Sequence, residues 1–390
     1  MFFNISHKEQ PNFPCHYTIK NIIISTDVGW VNKIVDNKFT LYKGYCDDAP
    51  LEKLLEQIVN EEKPQTRGNF CVIIYKDNKL EVKTNIDRSF PIFYDTEQIT
   101  NLCKLSNQIF ANFTISIDED LSIHCKPFDA IGEITEDTQS YADVLENVHE
   151  MLLTKVNNFV KHNTLPVKTF LSGGVDSMLV YSYISRFTNV EVLDCEHIEF
   201  DSFYLKNTYK LWDMWAYKQI NHWRNPTLLT SGTPGDEYML RNPETAQLFC
   251  SHYGKNLVDI LTDNKYKKHY HYTYFIKNIK KIEDIANGNN KLIKASKKYF
   301  INSLCKNLIN DYQHFHLGNT LTYTPLRDLR IAKNVLQLNF DDAIGQITDA
   351  KLTRDLIAKN NPKLLDYISP QKNSHNYMEN LVDFIIKPVD

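Results

Sequence analysis

The sequence predicts an α/β protein of two domains, and three observations carry that expectation. Residues 1–125 hold short apolar runs separated by polar turns, and residues 141–162 hold apolar side chains at helical spacing. Beyond them, apolar runs alternate with glycine turns and helical stretches. The first pattern is that of strands in a sandwich, the second of an amphipathic helix. The third implies a doubly wound parallel sheet with ligand bound at its strand ends. A chain of 390 residues is long enough for two domains that each bury a core.

In chain order, Ile22–Ile24, Phe70–Tyr75, Leu80–Lys83 and Ile115–Ile117 read as short strands. Leu51, Leu54, Leu55 and Ile58 fall on one face of a helix between them. Asp77-Asn78 separates two apolar runs and reads as a hairpin turn. The stretch 68–94 reads as a hairpin of a sandwich whose end Pro91 demotes to an edge. From about Lys126 the periodicity lapses and Pro, Gly, Asp and Thr gather. The expected organisation is therefore a first domain over 1–128, a linker over 129–140 and a second domain over 141–390. In the second, Val144, Val148, Leu152, Val156 and Phe159 define the helix 141–162. Val167–Leu171, Val190–Leu193 and Pro226–Thr230 read as strands, and Met178–Ile184 as a helix.

Composition narrows the class. Apolar content is 42%, charged content 24% and net charge −4, so no global field points to nucleic acid or a membrane. No apolar run reaches the length of a membrane span, and Met1–Lys8 turns polar too soon for a secretory signal. The eight cysteines form no Cys-x-x-Cys pair, which argues against a zinc ribbon or an iron–sulfur site and suits a reducing compartment. The cytoplasm is the expected location.

Two loops carry the chemistry. Leu171-Ser172-Gly173-Gly174-Val175-Asp176-Ser177 sits between a strand and a helix. Adjacent glycines let backbone N–H groups converge, and the helix start adds partial positive charge, so the turn can seat phosphate oxygens. Ser172 and Ser177 add hydroxyl donors, and Asp176 can hold a magnesium ion carrying the same phosphates. An ordinary capped turn is the plainer reading of these residues, and the position after a buried strand favours phosphate. Gly232-Thr233-Pro234-Gly235-Asp236-Glu237 repeats the arrangement after the strand ending at Thr230. A carboxylate there can complete the metal site.

Ser-Gly-Gly-x-Asp-Ser resembles the pyrophosphate-gripping loop of the N-type ATP pyrophosphatases (PP-loop enzymes). The flanking sequence resembles the asparagine synthetases in particular. Gly68-Asn69-Phe70 with Asp87-Arg88-Ser89-Phe90-Pro91-Ile92-Phe93-Tyr94 is similar to a stretch of their N-terminal glutaminase domain, an Ntn-type α+β sandwich. Gly232–Glu237 is similar to their second metal-binding segment, Thr324–Arg330 to a Pro-x-x-Asp block, and Ala350–Leu356 to a Lys-x-x-Arg block. The resemblance implies ATP and Mg²⁺ as cofactors, with Asp176 and Asp236 as metal ligands. Leu171, Ser172, Gly173, Gly174, Asp176, Ser177, Gly232 and Gly235 would bind the nucleotide. Asp236, Glu237, Lys351 and Arg354 would be catalytic, the two cations facing the α-phosphate as pyrophosphate leaves. The implied reaction adenylates a small-molecule or peptide carboxylate and transfers the acyl group to ammonia or an amine.

The chain departs from that pattern in two places. Phe2 stands where working glutaminases carry a nucleophilic cysteine, so the first domain is expected not to hydrolyse glutamine. Cys15 would serve only after cleavage behind Pro14. Thr233 stands where the family carries its acceptor-sensing residue, which implies a rebuilt acceptor pocket. Residues 265–300 hold ten lysines among aromatic residues. They read as lysine-coated helices or, less favoured, as a nucleic-acid surface. His269/His271 and His314/His316 read as structural. An enzyme that adenylates a nucleobase or tRNA is the alternative activity, and a degenerate scaffold is the alternative without one.

Overall fold

The computed structural model describes residues 2–62, 65–86, 90, 92–101, 105–109, 113–128, 138–169, 171, 173–192, 226–232, 235–239, 241, 320–339, 342, 345–346 and 350–368. Two six-stranded antiparallel sheets come first, and a four-stranded parallel sheet follows. The expected α/β class is therefore present, with several sheets rather than one.

The first sheet runs in the order β10 (Asn107–Ile109), β8 (Ile92–Tyr94), β9 (Gln98–Thr100), β1 (Phe3–Ser6), β3 (Ile22–Thr26), β2 (Cys15–Ile19). The second runs β12 (Ile123–Pro127), β11 (Phe113–Asp118), β7 (Lys79–Thr84), β6 (Gly68–Lys76), β5 (Lys38–Cys46), β4 (Val31–Val35). Strand β6 shows why the fold has this shape. Its Cys71 and Ile73 enter the core between the sheets, with Phe3, Ile5, Ile24 and Leu41. Its Phe70, Val72 and Ile74 point the other way, onto Leu51, Leu55, Ile58 and Val59 of helix α1 (Leu51–Asn60). A strand buried on both faces needs the unbroken apolar run that β6 carries.

The Asp77-Asn78 turn joins β6 to β7 in the expected hairpin, and its two residues have φ of 49° and 63°. Two expectations for this region need correction. Strand β8 crosses to the other sheet and pairs with both β9 and β10, so it is not an edge. It is held inside by Ile92 and Phe93, both fully buried, and burial outweighs the local bias against pairing near a proline. The loss of periodicity at Lys126 also starts too early, because β12 continues to Pro127 on a sheet edge, where a missing N–H is tolerated. Most of the 129–140 linker lies outside the described residues.

Helix α2 (Tyr141–His162) occupies the span that the apolar spacing predicts, and Ser140 caps it by accepting from the Asp143 N–H at 3.2 Å. Strands β13 (Val167–Thr169), β14 (Val190–Val192), β15 (Thr227–Thr230) and β16 (Thr320–Tyr323) form the parallel sheet in the order β14-β13-β15-β16. Helix α3 (Val175–Ile184) lies between β13 and β14 in the chain, and a short helix α4 (Gly235–Tyr238) follows β15. Helices α5 (Leu329–Val335) and α6 (Lys351–Asn360) come after β16. The sheet grows outward in opposite directions from β13, so strand order switches between β13 and β15. At such a switch the loops leaving the carboxyl ends of the strands diverge and leave a crevice.

Candidate functional site

Both glycine loops leave the switch point. At the first, Gly173 has φ +80°, a left-handed conformation that costs glycine nothing. Gly174 is the N-cap of α3 and offers it no side-chain cap. The Ser177 hydroxyl donates to the Gly174 carbonyl at 3.0 Å. Leu171 packs against the core below and anchors the loop. Ser172 lies outside the described residues.

The second loop packs directly on the first. After β15, the Ser231 N–H donates to the Tyr323 carbonyl, and the Gly235 N–H closes a turn onto the Gly232 carbonyl at 2.7 Å. A Cβ on Gly232 would stand 2.4 Å from the backbone nitrogen of Ser177, and one on Gly235 would stand 2.6 Å from the Asp176 carboxylate oxygen Oδ1. These glycines therefore allow one loop to pack closely on the other. Thr233 and Pro234 lie outside the described residues.

That packing brings Asp176, in the first turn of α3, beside Asp236, in α4. Two carboxylates need a cation between them, and Arg241 supplies it. Its Nη1 lies 2.9 Å from both oxygens of Asp176 and 3.1 Å from Asp236 Oδ1. The Arg241 side chain is 3% exposed, that of Asp176 18% and that of Asp236 56%. Burial and the neighbouring Asp236 push the Asp176 carboxyl up to about 7, against the downward pull of Arg241. No group of three or more His, Cys, Asp or Glu able to hold a metal occurs among the described residues. The pair nonetheless fits Mg²⁺ in donor chemistry. This ion typically takes one or two protein carboxylates and completes its shell with phosphates and water, and Arg241 already stands where positive charge is required. Glu237 neighbours the cluster and adds to its negative field on Arg241.

The third and fourth sequence blocks lie apart from each other. Asp328 caps α5, accepting from the Arg330 N–H at 2.9 Å, and also binds the Arg330 side chain. Lys155 of α2 reaches Asp328 at 3.5 Å and Asp47 at 3.3 Å, and donates to the Arg327 carbonyl. Beside it, Tyr45 packs on Phe159 and Tyr323 and its hydroxyl accepts from the Thr324 N–H at 3.2 Å. This block joins the antiparallel region to the parallel sheet.

Lys351 opens α6. Its Nζ sits 3.2 Å from the centre of the Tyr141 ring and 3.8 Å from Asp355, whose carboxylate also accepts from the Tyr141 hydroxyl. The helix N-cap is Ala350, at φ +54° and without a side-chain cap, while Asp349 lies outside the described residues. Buried Gln346 donates to the Met239 carbonyl and to Thr353 of α6, and Asn360 at the other end of α6 bonds Ser182 of α3. Helices α3 and α6 thus point their N-termini toward the same end of the sheet, the end of the two loops. Arg354 bonds Ala350 through its backbone N–H.

In the first region, Phe2 is fully buried, and its backbone N–H donates to Asp27 Oδ1 at 2.8 Å. Asp27 also accepts from Trp30 and from Lys43, the latter at 2.8 Å with both side chains 2% exposed. Burial alone would raise the Asp27 carboxyl, yet Lys43 holds it below the ordinary range. Cys15, Cys46, Cys71 and Cys125 are not joined in disulfides.

Arg241 and Gln346 are the residues that sequence reasoning missed. The only signal for Arg241 is a cation five residues after Asp236, a spacing that acquires meaning once α4 has turned the chain. The 265–300 stretch and the two histidine pairs lie outside the described residues. Among the described residues no helix is long and apolar enough to cross a membrane. No protein-family model matches this chain, and no curated protein matches it.

Proposed function

We propose that the chain is an ATP-dependent, amide-forming ligase of the asparagine-synthetase type. A substrate carboxylate attacks the α-phosphorus of ATP, pyrophosphate leaves, and ammonia or an amine then takes the acyl group from the adenylate with release of AMP. The observation that carries this reading is the convergence of two glycine loops, from neighbouring parallel strands, on the Asp176–Asp236 pair.

Each residue has a task under this reading. The head of α3, with Gly173 and Gly174, holds the β- and γ-phosphates. The Ser177 hydroxyl turns from the Gly174 carbonyl to a phosphate oxygen. Asp176 and Asp236 hold Mg²⁺, which when bound neutralises the phosphates and eases departure of pyrophosphate. Lys351 and Arg354, at the head of α6, balance the charge that builds on the α-phosphate. Phe2 leaves the first domain without a glutaminase nucleophile, so the amine comes from solution or from a second substrate. Cysteines outside disulfides suit a reducing compartment, and we assign the cytoplasm.

Product analysis tests the reading. ATP and Mg²⁺ with a pool of carboxylates and amines should yield AMP and pyrophosphate. ADP and phosphate as products would rule it out, and a product carried on a nucleobase would favour the tRNA-modifying alternative. Failure to bind ATP at all would leave the scaffold reading.

A further inference from the structure

Arg241 holds the two aspartates in an unusual manner. Guanidinium groups bind carboxylates most strongly as a fork, with two nitrogens on two oxygens. Here one nitrogen, Nη1, serves three oxygens, two on Asp176 and one on Asp236, at 2.9 to 3.1 Å. The contact is that of a point cation. A second feature is independent of the first: Arg241 Nε is buried with no hydrogen-bond partner, on a side chain only 3% exposed. A buried donor left unmade works against keeping the group where it is.

We propose that Arg241 is a built-in counter-ion that occupies the divalent-cation position between Asp176 and Asp236, and that metal entry expels it. This inference rests on the reading of these aspartates as the metal pair. The empty-handed chain then keeps its two loops together without metal, because the arginine offsets the repulsion of the carboxylates. A divalent cation brings twice the charge to the same oxygens and releases the guanidinium, whose Nε and Nη groups are donors suited to a phosphate oxygen. Nucleotide and metal would therefore enter together, each giving a home to a charge the other displaces.

The test uses Mn²⁺ alone as probe, with the full chain and no nucleotide, and free Mn²⁺ is read by electron paramagnetic resonance. Arg241→Gln should bind one Mn²⁺ at least tenfold more tightly than the unaltered protein, and adding Asp176→Asn to it should abolish the gain. Equal or weaker binding by a folded Arg241→Gln, or no Mn²⁺ bound by either protein, overturns the proposal. Should that variant fail to fold, the unaltered protein answers through phenylglyoxal labelling mapped by mass spectrometry. Arg241 should be protected without metal and react severalfold more when Mn²⁺ is added, and unchanged labelling overturns the proposal. ATP binding, measured separately by equilibrium dialysis, keeps the two readings apart. Tighter Mn²⁺ binding without any ATP binding would support the counter-ion and discard the ligase, and the opposite result would do the reverse.

Discussion

Gly235 lies so close to Asp176 that a Cβ built on it would stand 2.5 Å from the carboxyl carbon. The neighbouring Gly232 meets backbone rather than side chain, with Asp176 C and Ser177 N both at 2.4 Å from its virtual Cβ. The Asp176 carboxyl can rotate away from a clash, but its Cβ, 2.6 Å from the virtual Cβ of Gly235, and the first turn of the helix cannot. Gly232→Ala and Gly235→Ala should therefore each cost about 1–3 kcal/mol of stability on the scale of overpacking. Gly235→Ala should in addition displace the carboxylate from Arg241. Thermal melts together with ATP–pyrophosphate exchange separate the two effects. Unaltered melting temperatures for both variants would show that the loops have more slack than this geometry allows.

The two aspartates should respond differently to amidation. Asp236 is more than half exposed, so Asp236→Asn should melt near the unaltered temperature. Asp176 is the main partner of a buried guanidinium, and Asp176→Asn should cost about 1–3 kcal/mol because it leaves buried charge less compensated. Both variants should lose most exchange activity. Equal stability for the pair, read by urea titration, would contradict the shared-cation arrangement.

Lys155 joins two carboxylates whose acidities diverge. Burial pushes Asp47 up to about 6, against the pull of Lys155 and with the repulsion of Asp328 and Asp48 added. Asp328 is also buried, but Lys155 and Arg330 outweigh that and bring it down to about 2. In the folded chain Asp47 takes up its proton at higher pH than in the unfolded one, so it favours the folded state at low pH. Stability should fall as pH rises from about 4 to about 6, by up to ~3 kcal/mol from this group. Asp328 has the opposite sign, and its contribution is lost as pH falls from about 4 toward 2. Urea unfolding across this range should show the first slope, to which Asp176, pushed up to about 7, adds with the same sign. Asp47→Asn should therefore make it shallower, and a slope unchanged in that variant would assign it to another group.

Glutamine should not be hydrolysed, with or without ATP. Phe2 fills the core and its N–H is spent on Asp27, so the start of β1 offers packing where a nucleophile would be needed. Phe2→Ala should destabilise the chain by about 3–5 kcal/mol, as for other fully buried aromatics. Glutamate release by protein whose intact mass includes Met1 would refute this, and release only from a form beginning at Cys15 would point to processing.

How much of this was legible depended on whether the signal is local. Helix Tyr141–His162 announces itself because its buried face repeats over six turns, and β6 because both its faces are apolar. The Asp77-Asn78 hairpin is legible from its dipeptide, yet the same dipeptide at Asp36-Asn37, with φ of 49° and 59°, passes unnoticed because Val31–Val35 is mostly exposed and lacks an apolar run. Strand Thr320–Tyr323 is half threonine, and its identity as a strand comes from pairing with β15. The glycine loops could be located from sequence, but whether Gly232 and Gly235 seat a ligand or another loop depends on neighbours 55 or more residues away in the chain. Arg241 is the extreme case, since its role exists only after both loops have met.

Lys351→Ala should lower turnover far more than ATP affinity. Its resting partners, the Tyr141 ring and Asp355, hold the ammonium at the head of α6 with 45% of the side chain exposed, within reach of solvent and ligand. Helix α6 lies alongside α3 with its N-terminus at the loop end of the sheet, the end where a phosphate at Gly173–Gly174 would sit. A cation that meets charge developing on the α-phosphate acts in the transition state and contributes little to the ground state. Loss of one such partner costs about 10²–10³ in rate. Tyr141→Phe provides the control, because it keeps the ring under Lys351 while removing the bond to Asp355, and it should change turnover by less than about tenfold. The decisive measurement is the split between kcat and KM for ATP. A Lys351→Ala variant with raised KM and unchanged kcat would make this residue a ground-state binding contact, and one unchanged in both would return it to an ordinary place on a helix surface.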